Sequence, residues 1–356
     1  MELKINLKKE RQNTEINPEK LDFGRIFTDH MFEMYYTPEK GWHNAQIVPF
    51  HNFDLSPATM VFHYAQSVFE GLKAYKYKGK YIALMRPEEN FKRLNRSARR
   101  LVIPEIDEEF VLNALIELLK IEKNWIPDKK GYALYIRPTI IGTDPVIRLK
   151  PSENYLFYII LSPVGPYYKN GFKPAKILVE TEYVRSVRGQ TGDTKASANY
   201  GISLIAGKKA TELGYDQALW LDAIERRYIE EVGSMNIFFV IDGKIVTPKL
   251  RGSILPGITR DSIIKLAKHL GYEVEERDIT IDEVIEGIEK GKVTECFGTG
   301  TAAVISPVGV LGYKGKNYII GNGEIGPISK RLFDEYTGIQ YGEKEDVFGW
   351  LKIIEY

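Results

Sequence analysis

EVGSMNIFFVIDGKIVTPKLRGSILPGITR, residues 231–260, sets out three features in order. A carboxylate, Glu231, stands at the end of an apolar strand. The run NIFFVIDGKIVTP then reads as a hairpin turning at Asp242–Gly243, a pair suited to the positive-φ positions of a two-residue turn. LPGITR closes the stretch with a Pro–Gly step and the first turn of a helix, where the N–H groups of Ile258 and Thr259 have no intrahelical partner and form an anion site. Each piece has a bland reading. Glu231 fits an edge charge on a hairpin, and LPGITR fits a turn before a surface helix.

Two further stretches sharpen the picture. TGDTKASANYG, residues 191–201, sets one long amine, Lys195, among small polar residues, with Tyr200 five positions on. An arbitrary lysine is a solvated charge. Small neighbours, however, leave room for a flat ring against the backbone, and a desolvated lysine amine is a covalent catalyst. Tyr200 is placed to reach a phenolic oxygen on such a ring. FGTGTAAVISP, residues 297–307, places Gly298, Gly300 and Ala303 in GxGxxA spacing after a strand. A dinucleotide fingerprint needs a helix next and an acid about twenty residues later. Pro307 and Gly309 interrupt any helix and NYII carries no acid, so the stretch reads instead as a tight turn whose Thr301 hydroxyl and N–H groups bind oxyanions. Arg93 is a second candidate phosphate partner, because a guanidinium matches phosphate oxygens in pairs.

Composition sets the limits outside these stretches. Lys and Arg number 49 against 48 Asp and Glu, a net charge of +1, so no global field draws the chain to nucleic acid or an anionic membrane. Lys92, Arg93, Arg96, Arg99 and Arg100 form a local basic cluster that reads mostly as a solvated helix face. The single cysteine, Cys296, sits in the apolar run KVTECFG and reads as an inert core thiol, which excludes an internal disulfide framework. No metal-ligand spacing occurs. The charged start MELKINLKKERQN lacks an apolar h-region and no run reaches membrane-spanning length, so a cytoplasmic location is expected.

The 356 residues suffice for two domains. EGLKAYKYKGKYIALMR reads as a hairpin turning at Lys78–Gly79–Lys80. PEENFKRLNRSARRL reads as a helix opening at Pro87, and DEEFVLNALIELLKI as a second. GYALYIRPTIIG and NYLFYIILSPVG read as strands, the latter apolar enough to be central in a sheet. VGPYYKNGFKP carries two prolines and two glycines between apolar strands and marks a boundary. Beyond it, a helix is expected from about Asn199 to Leu213 before Gly214, another over TRDSIIKLAKHLG, and a third after a Thr280–Glu283 capping box. The expected domains are residues 1–163, a loop 164–175 and residues 176–356. Strands in both halves with helices interspersed argue for α+β.

A lysine nucleophile, a carboxylate, a tyrosine and several phosphate-binding elements in one half together describe a pyridoxal-phosphate site. The stretch from Glu231-x-Gly through Asn236, the Ile245–Val246–Thr247 step and Leu255-Pro-Gly-Ile-Thr-Arg260 resembles the signature of the fold-type IV (class IV) aminotransferases. FGRIFTDHMF, FHYAQSVFEGLKAY, LYIRP and SPVGPYY resemble its branched-chain amino acid members, and the likeness runs from about Leu21 to the C-terminus.

This resemblance implies a smaller N-terminal α/β domain and a larger C-terminal domain with a β-barrel-like core, joined by an interdomain loop. It implies that Lys195 bonds the cofactor and shuttles the reacting proton, that Glu231 pairs with the ring nitrogen and that Tyr200 pairs with the ring hydroxyl. Arg93, the backbone of Ile258 and Thr259, and Thr301 would hold the phosphate. The N–H groups of Ala302 and Ala303 would meet the substrate α-carboxylate, and Ser234 would keep a hydroxyl where relatives carry threonine. Phe23, Tyr64, Phe69, Tyr135 and Tyr167 would wall an apolar pocket, with Arg137 receiving the distal carboxylate of glutamate. The implied reaction is reversible amino transfer between leucine, isoleucine or valine and 2-oxoglutarate, in a homodimer or larger homo-oligomer with Ile147 and Leu149 near the neighbour's pocket. Ala303 and Ser306 stand where some relatives carry a CxxC pair, so no thiol switch is expected. D-amino acid transamination on the same fold is the main alternative. An aminodeoxychorismate lyase and an idle homologue are disfavoured by Arg137 and by the retained Lys195, Glu231, Tyr200 and Arg93.

Overall fold

The computed structural model of the protein describes residues 1–8, 21–166 and 172–356. The chain forms two compact units. The first takes in Met1–Pro166, Thr194–Ala198 and Gly338–Tyr356, and the second Tyr167–Asp193 and Asn199–Thr337.

The first unit is built on one sheet. Its strands are β1 (Lys4–Ile5), β2 (His30–Thr37), β3 (Gly41–Pro49), β4 (Ser67–Phe69), β5 (Leu72–Tyr77), β6 (Tyr81–Met85), β7 (Ala133–Gly142) and β8 (Tyr155–Val164). The order across the sheet is β1-β3-β2-β8-β7-β5-β6, with β4 paired to β7. The apolar β8 lies between β2 and β7, as its composition demands. The β5–β6 turn puts Lys78 and Gly79 at φ 49° and 67°, the positive values a two-residue turn requires. A short helix α1 (Met60–Tyr64) precedes β4, and two longer ones cover one face of the sheet: α2 (Pro87–Arg100) and α3 (Glu108–Ile121). The Asp107 side chain caps α3 by accepting from the Phe110 N–H.

Alternation along the strands then decides what faces the helices. Leu134 and Ile136 of β7, and Leu72 and Ala74 of β5, join the core with Phe91, Leu94, Leu115 and Leu118. With a side-chain period of two, Tyr135, Arg137, Lys73 and Tyr75 turn to the opposite face.

The second unit holds β9 (Ala175–Val179), α4 (Ala198–Ile202, its first residue counted with the first unit), α5 (Leu204–Glu212), β10 (Gln217–Leu221), β11 (Ile229–Val232), β12 (Met235–Ile241), β13 (Lys244–Pro248), α6 (Ile258–His269), β14 (Val274–Arg277), α7 (Ile281–Glu289), β15 (Val293–Gly300), β16 (Val304–Tyr313), β17 (Lys316–Ile319) and most of α8 (Pro327–Tyr341). Pairing runs β11-β10-β9-β16-β15-β12, and β12 pairs back to β11, which closes six strands into a barrel. Barrel and flanking helices share a core that includes Ile177, Leu219, Ile237, Phe239, Val284 and Cys296. Thr280 caps α7 through the Glu283 N–H, and Gly271 follows α6 at φ 86°.

Three sequence expectations meet a different outcome. The helix expected over residues 199–213 is two helices, α4 and α5, separated at Ser203. The C-terminal segment, expected in the second domain, belongs to the first unit because β18 (Leu351–Ile354) pairs antiparallel with β6. Residues 194–198 also join the first unit. The boundary itself, at Pro166–Tyr167, falls inside the Pro/Gly-rich stretch. Among the described residues no helix is long and apolar enough to cross a membrane, and no group of three His, Cys, Asp or Glu could hold a metal ion.

Cys296 lies 2% exposed in β15, and burial pushes its thiol well above the ordinary range. Its thiolate is therefore scarce and shielded. A thiol reagent added to the native protein is expected to leave Cys296 unlabelled, with one equivalent taken up only after denaturation.

Candidate active site

Lys195 is carried on a segment that behaves as an added strand. Its carbonyl accepts from the Phe69 N–H at 3.1 Å, Ala196 bridges Val68, and the Ser197 N–H donates to Ser67 O at 3.0 Å. On the other side the Lys195 N–H donates to the buried hydroxyl of Ser97 on α2, at 2.9 Å. The backbone of the candidate nucleophile is thus fixed from β4 and from α2 at once, and the half-buried side chain brings Nζ to 5.0 Å from the centre of the Phe69 ring.

Beneath this segment lies a pair of buried charges. Arg93 donates from Nε to Glu70 Oε1 at 2.6 Å and from Nη2 to Oε2 at 2.8 Å, a two-point fork. Asn90 adds a bond to Oε2 at 2.8 Å. Burial alone would raise the Glu70 carboxyl, but the charge and hydrogen bonds of Arg93, with help from Lys195 and Asn90, hold it below the usual carboxylate range. Asn90, Arg93 and Ser97 form a buried polar stripe at helical spacing on α2. Arg93, read as a phosphate partner, therefore has two of its nitrogens engaged by Glu70.

The face opposite the helices collects more of the expected residues. Arg137 lies with its guanidinium carbon 4.5 Å from the Phe69 ring centre and 5.2 Å from that of Tyr135, and its Nη2 donates to Tyr135 Oη at 2.9 Å. Among the described residues its Nε is buried without a hydrogen-bond partner, as is the hydroxyl of Ser162, which stands opposite Tyr135 on β8. Phe23 packs edge-on against Tyr135, centroids 4.8 Å apart. A Cβ on Gly71 would lie 2.2 Å from Tyr135 Oη, so only glycine admits the tyrosine there. Lys73, opposite Tyr135 on β5, is buried, and desolvation pulls its amine down to about 8. Tyr64 is held elsewhere: its hydroxyl donates to the carbonyl of Ile147, within an exposed apolar segment where Ile147 and Leu149 are 66% and 78% exposed. Tyr167 lies outside the described residues.

The second unit supplies a different set. Glu231 on β11 is 3% exposed, and one of its oxygens accepts from the Leu255 N–H at 2.7 Å. It is buried, which the reading of an exposed edge charge does not allow. The other oxygen faces Arg185 Nε at 3.1 Å. Ser234 is exposed in the Gly233–Ser234 turn between β11 and β12, and Tyr200 is half-buried in α4. α6 begins at Gly257 with no side chain capping it, which leaves the Ile258 and Thr259 N–H groups at an open helix end. A Cβ on Gly257 would lie 2.0 Å from Asn236 Oδ1, and the Asn236 amide donates to Leu255 O at 2.9 Å, so the helix start is pinned to β12. Thr301, Ala302 and Ala303 form the three-residue turn from β15 to β16, and Val304 after it adopts φ 62°. A β-branched residue at positive φ is strained, and such strain clusters at ligand sites. The Thr299 hydroxyl nearby on β15 is fully buried with no partner among the described residues. An open helix N-terminus, a cramped glycine and a partnerless buried hydroxyl fit a phosphate group.

The family model for Amino-transferase class IV matches residues 67–310. The chain belongs to the class IV aminotransferases. It is 56% identical over 334 residues to branched-chain-amino-acid aminotransferase 2 of Bacillus subtilis, covering 94% of this chain and 92% of that one. It is 55% identical over 339 residues to a probable branched-chain-amino-acid aminotransferase of Staphylococcus aureus, covering 95% and 94%. Among solved structures it resembles the branched-chain amino acid aminotransferase of Escherichia coli, with TM-score 0.74, 30% identity and coverage of 91% and 98%. It also resembles the T.th. branched-chain amino acid aminotransferase complexed with N-(5'-phosphopyridoxyl)-L-glutamate, with TM-score 0.74, 31% identity and coverage of 90% and 97%.

Glu70 and Ser97 lie inside stretches whose local pattern was informative, yet nothing in that pattern marks them, and Arg185 lies outside those stretches. The available signal was FEGLKAY, where an acid between Phe69 and Gly71 has no surface reading once both neighbours pack.

Glu70→Gln leaves Arg93 charged and buried without its counterion, and is expected to cost about 3–5 kcal/mol in urea unfolding near neutral pH. The folded carboxyl titrates below its unfolded value of 4.5, so its contribution is complete above that value and lost as pH falls through the lower folded one. Stability measured across that acid range should slope upward with pH in the native protein and flatten in the variant.

Proposed function

We propose that the protein is a pyridoxal-phosphate-dependent branched-chain-amino-acid aminotransferase. It moves the amino group of leucine, isoleucine or valine to 2-oxoglutarate and runs the reverse reaction. One observation carries the reading at the level of chemistry: the Phe69 ring has an amine, Lys195, and a guanidinium, Arg137, both within 5.0 Å of its centre. A reactive amine and a carboxylate-binding cation flank one apolar surface, as a site that takes both aliphatic and acidic side chains requires. Neither the relatives nor the solved structures lend support to D-amino acid transamination.

Bound in this site, pyridoxal phosphate supplies a carbonyl for covalent attachment and an electron-withdrawing ring. The protein does the rest. Lys195 Nζ offers the attachment point and, once released, moves a proton off the substrate Cα. Glu231 holds a proton at the ring nitrogen and Tyr200 bonds the ring hydroxyl. The N–H groups of Ile258 and Thr259, the Thr301 hydroxyl and Arg93 bind the phosphate. The turn N–H groups of Ala302 and Ala303 orient the α-carboxylate, with Ser234 adding a hydroxyl. Phe23, Phe69 and Tyr135 surround an aliphatic chain, and Arg137 pairs with the distal carboxylate of glutamate. An extra methylene is worth only about 1–3 kcal/mol, so discrimination among the three aliphatic substrates is weak. The exposed Ile147 and Leu149, tied to Tyr64, support a homodimer in which this segment meets the neighbouring subunit.

The visible spectrum of the purified protein tests the whole reading. L-leucine is expected to bleach the cofactor band and 2-oxoglutarate to restore it; bleaching by D-alanine but not L-leucine would overturn the substrate assignment. In Arg137→Met, kcat/KM for 2-oxoglutarate should fall at least about thirtyfold, the cost of truncating a buried charge pair, while that for L-leucine stays within about threefold.

A further inference from the structure

Arg185 is a buried cation to which the reading above gives no task. It is 8% exposed and lies between β9 and the lysine segment. Its Nη2 donates to Gly192 O at 2.9 Å and also to Ser253 O. Its Nε faces Glu231 Oε2 at 3.1 Å, yet makes no aligned hydrogen bond. An arginine that meets a carboxylate without donating in line to it acts on it chiefly through charge.

The surroundings make that charge necessary. Glu230 and Glu231 are adjacent in the chain and both buried, at 7% and 3% exposure. Glu230 accepts from the Ser253 hydroxyl, and its other oxygen has no hydrogen-bond partner among the described residues. Burial pushes the Glu230 carboxyl up, with Asp222 adding to the push, while Ser253, Arg185 and Arg188 pull against it. Alternation along β11 turns the two side chains to opposite faces, and the charge of Arg185 acts on both. The backbone ties are equally specific. A Cβ on Gly192 would lie 2.3 Å from Ser253 O and 2.4 Å from Ser186 Oγ, so the loop that Arg185 fixes has no room to shift.

We propose that Arg185 is a positioning residue: its charge keeps Glu231 ionised, so that the shared proton resides on the cofactor's ring nitrogen, while Nη2 locks the Gly192 loop to Ser253. This rests on the reading that Glu231 meets that nitrogen. A cation in contact with a carboxylate stabilises its anion and weakens its hold on a proton. A ring nitrogen that keeps its proton withdraws electrons from the substrate Cα more strongly, and this shows in the chemical step rather than in binding.

The test uses holoenzyme loaded with pyridoxal phosphate carrying 15N in the ring, read by NMR. In Arg185→Met the ring-nitrogen resonance should move toward that of the unprotonated ring, and kcat should fall about tenfold or more with the KM for L-leucine within about twofold. In Arg185→Lys, which keeps the charge but not the geometry, the resonance should move part of the way. A native resonance in Arg185→Met overturns the proposal. Should that variant not fold, Arg185→Lys decides, and a native resonance there makes Arg185 merely structural. Glu231→Gln separates the two readings. If it moves the resonance and Arg185→Met does not, only the present inference fails; if Glu231→Gln leaves the resonance unmoved, the placement of Glu231 fails and the inference with it.

Discussion

The two-point fork between Glu70 and Arg93 is the constraint on which the first unit's chemistry depends. Both groups are removed from water, and neither is tolerable there alone. Their pairing fixes α2 against the turn between β4 and β5. Once α2 is fixed, Ser97, one helical turn beyond Arg93, is held where it receives the Lys195 N–H. The same turn presents the Phe69 N–H to the Lys195 carbonyl. A lysine on a loop would ordinarily wander, but here its backbone is anchored on both sides before its amine meets any ligand. The root of the side chain is thereby held in place.

In the second unit the corresponding constraint is closure of the barrel. Pairing of β11 with both β10 and β12 buries Glu231 and sets Asn236 opposite Thr299. Asn236 then holds Leu255 O and abuts Gly257, which determines where α6 starts and so where its open N–H groups lie. A side chain at Gly257 would lift the helix from the strand. The strain at Val304 follows from the same closure. β15 must reverse into β16 within three residues, and the left-handed valine is the cost of bringing the Thr301–Ala303 N–H groups to one turn.

Legibility in the sequence tracked the range of the interactions involved. The hairpins at Lys78–Gly79 and Asp242–Gly243, the helices α2, α3 and α6, and the cap at Thr280 rest on neighbours a few residues apart, and local pattern identified them. Tyr135 and Arg137 were implied by the family resemblance, and alternation along β7 puts them on one face. What local pattern missed is long-range. Residues 194–198 leave the surrounding chain to join β4, and β18 returns from the C-terminus to pair with β6. No periodicity announces either pairing. The basic cluster on α2 was read as a solvated face, which fits the exposed Lys92, Arg96, Arg99 and Arg100 but not Arg93. Its burial becomes intelligible only once Glu70, more than twenty residues earlier, is known to lie beneath it. Arg185 went unremarked for the same reason, since its partners Gly192, Glu231 and Ser253 span much of the second unit.

If Arg137 meets the substrate side chain as proposed, its placement would let one site accept both an aliphatic chain and a carboxylate. A lone guanidinium in an apolar pocket would repel leucine through the cost of stripping its water. Here the guanidinium lies over the rings of Phe69 and Tyr135 and donates to the Tyr135 hydroxyl, so much of that cost is already met within the protein. Guanidinium is weakly hydrated and stacks well on aromatic faces, properties an ammonium lacks. An aliphatic side chain can therefore lie beside it with little further loss. On the proposed assignment, the Arg137 Nε, which makes no hydrogen bond among the described residues, would serve the distal carboxylate of glutamate. The aromatic pair would then hide the charge from one substrate and leave it available to the other, and lysine at this position would not be an equivalent replacement.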